Sequence, residues 1–160
     1  MRGGVFPPAM LCLALGLAFA FVPRRTALTA GLVCVAVALA VWSLLPKASP
    51  IEPVFLGCWA SVIVTAASTY LPKAIPAFAG YALGANAGLW VGAIVAVAAT
   101  QRDLFAALPF VLVCAIGWPI VARGWGVAIK VGASWLIAIA TLSAMLPLTP
   151  TPGYVPDHME

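Results

Sequence analysis

Apolar residues run along this chain in long stretches, with neither the alternation of a half-buried strand nor the polar face of a surface helix. Six stretches follow one another, over about 5–22, 27–45, 54–71, 78–99, 104–122 and 127–146. A typical hydrocarbon core takes about 20 apolar residues as a helix, within a range of roughly 17–25, and all six meet that length. Without polar alternation a barrel is disfavoured, and in lipid a helix is the one segment that satisfies its own backbone. The pattern therefore predicts an all-α, polytopic integral membrane helical bundle of six transmembrane helices.

The gaps agree with that reading. The stretches stop at Pro23-Arg24-Arg25, Pro46-Lys47, Pro72-Lys73, Thr100-Gln101-Arg102-Asp103, Arg123-Gly124 and Pro147. Proline does not readily continue a helix, and a basic side chain prefers the headgroup layer to hydrocarbon. Short gaps predict antiparallel neighbours. Arg2 followed by an apolar run ending near Ala18-Phe19-Ala20 resembles a secretory signal; the segment is read here as the first transmembrane helix. Residues 1–146 form the membrane domain and 147–160 a short polar tail.

Composition changes the picture in one respect. Of 160 residues, 64% are hydrophobic and 8% charged. A soluble domain carries roughly 25% charged residues, so these could not cover a water-facing surface. The net charge of +4 is scattered, with no basic cluster of the kind that holds nucleic acid. The expected partners are the lipid bilayer, with further copies of the chain or other membrane subunits. Six crossings place Arg2, Lys47 and Arg102 on one side and Arg24, Arg25, Lys73, Arg123 and Lys130 on the other. The positive-inside rule then predicts a bacterial inner-membrane protein with the second set in the cytoplasm and both termini outside.

Candidate functional residues are few. Gly80, Gly84, Gly88 and Gly92 recur every four residues on one stripe of the fourth helix, where a neighbouring backbone could come close, within the chain or between copies. Asn86 and Trp90 fall on the opposite face, and an amide in hydrocarbon needs a partner. Ser61, Thr65 and Ser68 share a face of the third helix with Cys58 and Thr69. Lys130 heads the sixth helix, with Ser134 and Thr141 on the same face; its stem could reach the interface, or it could start a polar track for an anionic solute. Pro109 and Pro119 interrupt the fifth helix as shape elements or as a hinge. The hexapeptide at 45–50 is echoed at 71–76, as two similar helix exits.

Glu52, Asp103, Asp157 and Glu160 all lie in predicted gaps or the tail, which argues against a carboxylate proton relay. His158 is the sole histidine, and Cys12, Cys34, Cys58 and Cys114 are scattered through apolar stretches. No metal, cofactor or catalytic residue is expected. The reading that remains is transport of a small polar or anionic solute by a permease or channel-like protein, with an accessory subunit of a larger membrane complex as the alternative.

Overall fold

The apolar stretches wind into helices, and the prolines between them mark where the next helix begins. A computed structural model describes residues 4–46, 49–72 and 74–146, and among the described residues there is no strand. In chain order the helices are α1 (Phe6–Phe19), α2 (Arg24–Leu44), α3 (Ile51–Ala67, prolonged by a 3-10 turn at Ser68–Tyr70), α4 (Ala77–Ala98), α5 (Gln101–Ala107), α6 (Cys114–Ala122) and α7 (Gly126–Met145). A 3-10 stretch, Leu108–Val113, joins α5 directly to α6, so that Gln101–Ala122 is one span, the fifth in chain order when α1 is counted as the first. The chain is an all-α helical membrane bundle. Five of its spans are long and apolar enough to cross a bilayer, and α1 is a shorter sixth helix. The tail at 147–160, with Asp157, His158 and Glu160, lies outside the described residues, as do Arg2, Lys47 and Lys73.

Three helices begin three residues earlier than hydropathy alone predicts. α2 starts at Arg24, α3 at Ile51 and α5 at Gln101. Pro23, Pro50 and Pro76 each stand immediately before a helix in an extended conformation, with ψ of 135°, 128° and 157°. A proline there gives up no helical hydrogen bond, since the first N–H groups of a helix have no partner within it. Thr100 serves at α5, where its backbone N–H and hydroxyl both donate to the Asp103 carboxylate at 2.8 Å. Glu52 and Asp103 are therefore first-turn residues of helices rather than loop residues. Hydropathy marks where hydrocarbon begins, whereas a helix can wind on through the headgroup layer and carry charge there.

Cross-chain hydrogen bonds fix which ends lie together. Phe21 of the α1–α2 turn accepts from the Ile75 N–H of the α3–α4 connection at 3.3 Å, and Tyr70 at the end of α3 donates to the Lys130 carbonyl of α7 at 2.6 Å. Trp118 Nε1 of α6 donates to the Phe19 carbonyl at 3.1 Å, and the Arg24 guanidinium lies 5.5 Å from the same indole. These contacts gather the ends that carry Arg24, Arg25, Arg123 and Lys130. At the opposite end the Gly4 N–H donates to the Ala98 carbonyl at 3.3 Å.

The centre of the bundle is the short helix. Leu11, Cys12, Ala14, Leu15, Ala18 and Phe19 of α1 are fully buried, and α3, α4, α7 and the fifth span all pack around it. Its 14 residues rise roughly 21 Å, less than the hydrocarbon thickness of about 30 Å. A helix walled in by protein need not match the bilayer, because its ends are covered by other segments. The Trp118 indole covers one such terminal carbonyl. α1 is thus an integral part of the core. Gly16 lets it approach the 3-10 stretch so closely that a Cβ there would stand 2.8 Å from the Phe110 carbonyl oxygen and 2.9 Å from that of Val111.

α4 packs along α2 more extensively than any other pair of elements. Its glycine stripe faces that helix. A Cβ on Gly84 or Gly92 would lie 2.5 Å from the carbonyl oxygen of Ala30 or Ala38, one on Gly88 would collide with the Cys34 carbonyl, and Gly80 faces Val22 and Thr26. Here the four glycines meet another helix of the same chain.

Candidate functional site

The face of α4 opposite its glycines meets α3, and polar chemistry is concentrated at that seam. Ser61 stands near the middle of the α3 span and Asn86 near the middle of α4, so both lie at mid-bilayer depth. Asn86 Nδ2 donates to Ser61 Oγ at 2.5 Å, which supplies the partner that an amide in hydrocarbon demands. One helical turn from Asn86, the outer edge of the Trp90 ring lies against Gly57, where no side chain stands in its way. α4 is thus held on two sides, by α2 through backbone contact and by α3 through an amide and an indole.

Between these anchors a groove remains, with a volume of about 390 Å³. Gly57, Ala60, Ser61 and Val64 line it from α3; Ala82, Leu83, Asn86 and Trp90 line it from α4. Its rim residues Ala60, Val64 and Ala82 are exposed, so it opens sideways toward the bilayer. The lining is largely apolar, with Ser61 and Asn86 as the polar groups. Such a site suits a small molecule with an apolar body and one or two hydrogen-bonding groups.

The polar face of α3 continues inward. Ser61, Thr65 and Thr69 are all buried. Thr69 and Ser68 donate to the carbonyls of Ala66 and Thr65 at 2.8 and 2.6 Å, satisfying themselves within their own helix. Thr65 Oγ1, one turn beyond Ser61, is buried with no hydrogen-bond partner among the described residues, and so is Trp59 Nε1, whose ring packs against Phe6 and Phe55. An unpartnered buried donor costs about 1–3 kcal/mol, so neither group is neutral to the fold.

The remaining sequence candidates do not converge here. Ser134 and Thr141 sit on the exposed outer face of α7, where their hydroxyls donate to Val131 and Ile137 carbonyls of their own helix at 2.7 and 2.8 Å. The expected track running inward from Lys130 is therefore replaced by an outward face, because hydroxyls that bond their own helix have no need of the interior. Lys130 is half-buried at the Arg24 end and does not line the groove. Pro109 opens the 3-10 stretch, which packs on α1 at Gly16, and Pro119 lies inside α6 without ending it. Neither proline borders the groove. A Cβ on Gly117 would stand 2.6 Å from that of Ala20, so the bare glycine lets Gly117-Trp118-Pro119 lock α6 onto the end of α1. Among the described residues no group of three His, Cys, Asp or Glu side chains could hold a metal ion.

Sequence reasoning missed Gly57. It is an isolated glycine in an apolar run, and its role depends on a tryptophan that lies far along the chain. Gly57→Ala is expected to change stability by less than about 1 kcal/mol, because the atoms displaced are the outer edge of a movable indole. It should push Trp90 into the groove. A cysteine placed at Ala82 would then react more slowly with an apolar thiol reagent in the Gly57→Ala background; an unchanged rate would show that the indole does not shape this cavity.

No protein-family model, no curated protein and no solved structure matches the chain.

Proposed function

We propose that this protein is a small permease or channel-like protein whose solute site is the α3–α4 groove. The observation that carries the reading is the Ser61–Asn86 pair, which sets hydrogen-bonding groups at mid-bilayer depth on the wall of an open cavity. The buried Thr65 hydroxyl continues that polar face by one turn. Polar groups inside a membrane are costly and are characteristic of solute pathways. No charged side chain lines the groove, and Lys130 stands away from it, so a small uncharged polar solute fits better than an anion. By the positive-inside rule, the end carrying Arg24, Arg25, Arg123 and Lys130 would face the cytoplasm of a bacterial inner membrane.

Full-length protein in liposomes tests this through stopped-flow measurement of a panel of small neutral solutes, such as urea and glycerol. At least one is expected to cross tenfold faster than in protein-free liposomes, and Asn86→Leu is expected to remove most of that gain while the protein still folds. Folded protein that accelerates none of the panel would refute the reading.

One observation favours a second reading. α1 fills the bundle centre with apolar side chains, and the groove opens sideways. That arrangement also suits an accessory subunit that receives a helix of a larger membrane complex. Stable co-purification of another membrane chain, lost in a variant with Ala60 and Ala82 both replaced by leucine, would support it.

A further inference from the structure

The α3–α4 groove has a direction. Tyr70 at the end of α3 and Ile75 just before α4 both lie at the Arg24 end, so the two helices run antiparallel. Their lining residues therefore follow one another in opposite order: Gly57 against Trp90, then Ser61 bonded to Asn86, then Val64 and Ala82 at the far end. From 57 to 64 on α3 and from 82 to 90 on α4 the furrow rises roughly 10–12 Å. It thus runs along the bilayer normal, through the middle third of a hydrocarbon layer of about 30 Å. Lipid chains border it from the side, at exposed Ala60, Val64 and Ala82.

The polar pair at its middle is only half used. Ser61, 4% exposed, accepts from Asn86 Nδ2, and its own hydroxyl hydrogen meets no acceptor among the described residues. Asn86 Oδ1 accepts from no described group and is not enclosed. Turning the amide over exchanges these roles and still leaves both a donor and an acceptor. A hydroxyl-bearing group satisfies both kinds at once, because each hydroxyl donates and accepts. No charged side chain lines the furrow, so that group is uncharged. A volume of about 390 Å³ accommodates a head the size of a single sugar.

The open flank says what is attached to it. A solute that is polar all round needs a path walled off from hydrocarbon. Here the bundle centre is filled by the apolar side chains of α1, and the polar pair stands on a flank that lipid borders. A polar head on an apolar tail needs no such wall, since the tail stays in the bilayer while the head follows the furrow.

We propose that the solute of the α3–α4 furrow is the uncharged, hydroxyl-bearing head of a lipid, which crosses the bilayer centre on Ser61 and Asn86 with its tail outside the protein. The proposal rests on the reading of this groove as a solute path and specifies what travels along it.

Full-length protein in sealed liposomes tests this with glucosylceramide tagged on its acyl chain with nitrobenzoxadiazole. Dithionite added outside bleaches the outer leaflet, and further bleaching follows lipid arriving from the inner one. Crossing about tenfold faster than in protein-free liposomes is expected, the factor that one or two hydrogen bonds of interhelical strength supply. Phosphatidylserine with the same tag, whose head is charged, is expected to cross no faster than without protein. Asn86→Leu removes the pair, and Ala60→Leu obstructs the rim while keeping the pair; each is expected to abolish most of the gain. Folded protein that leaves glucosylceramide crossing unchanged, or that moves phosphatidylserine as fast, would overturn the proposal. Urea or glycerol crossing without glucosylceramide would refute the lipid head and leave a permease for free solutes standing. Glucosylceramide crossing without either would support the lipid head and remove the free-solute reading.

Discussion

Replacing Gly84 and Gly88 together with leucine is expected to prevent the folded protein from accumulating in the membrane. Each glycine lies against a carbonyl of α2, so the obstacle to a side chain is backbone, which cannot rotate aside. Even alanine would place a methyl 2.5 Å from the Ala30 oxygen at position 84 and against the Cys34 oxygen at position 88, so the two helices would have to separate. Overpacking of a dense interior usually costs about 1–3 kcal/mol per site, and a backbone obstacle belongs at the top of that range or above. Two such sites on the most extensive helix pair would remove much of a native stability of about 5–15 kcal/mol. Single alanine variants, Gly84→Ala and Gly88→Ala, grade the effect and should remain partly folded. Thermal denaturation in mild detergent checks this, and unchanged melting of the double leucine variant would show that α2 and α4 are not in backbone contact.

Gly16→Leu is expected to be nearly as damaging, for a different reason. Gly16 belongs to the central helix and faces the carbonyl oxygens of Phe110 and Val111, in the 3-10 stretch that Pro109 opens. A side chain there would push the fifth span off α1. A loss of about 3 kcal/mol or more is expected, with protease cleavage appearing near Leu108–Val113 before the rest of the chain is cut. The matched comparison uses alanine at both positions. At Gly31 the added Cβ would meet nothing closer than 4.0 Å, so Gly31→Ala should cost under about 1 kcal/mol, well below Gly16→Ala. Equal effects at 16 and 31 would contradict the central placement of α1.

The two substitutions probe different kinds of information in the sequence. The glycine row of α4 is readable because its spacing matches the helical repeat, and a row without side chains invites a close neighbour. Which neighbour it meets is not readable, since contact within the chain and contact between copies leave the same pattern. The central position of α1 leaves no trace in its residues. Its run 5–22 is as apolar as the lipid-facing runs, and in a bilayer the inside and the outside of a bundle demand similar side chains. Hydropathy also misplaces the helix starts at Arg24, Ile51 and Gln101, because it records the edge of hydrocarbon and not the end of the helix.

The candidate site is half legible. Asn86 stands out as an amide within a span, and Ser61 as one of several hydroxyls on α3. Their pairing depends on the depth at which α3 and α4 cross, which no local pattern specifies. Ser134 and Thr141 mislead because a shared face with Lys130 reveals nothing about whether that face turns inward. Spacing groups Thr65 with the other hydroxyls, yet it differs from Ser68 and Thr69 in having no bond to its own preceding turn.

The arrangement of a short apolar helix enclosed by lipid-facing spans is tested most directly by a photoactivatable apolar probe dissolved in the bilayer, with labelled positions read by mass spectrometry. Leu28 and Leu32 of α2 and Leu112 and Ile116 of the fifth span, all exposed, are expected to be labelled, and fully buried Leu11 and Leu15 of α1 to remain unlabelled. Labelling of Leu11 and Leu15 at the level of Leu32 would contradict a central α1, and a chain left unlabelled throughout would contradict its place in the membrane.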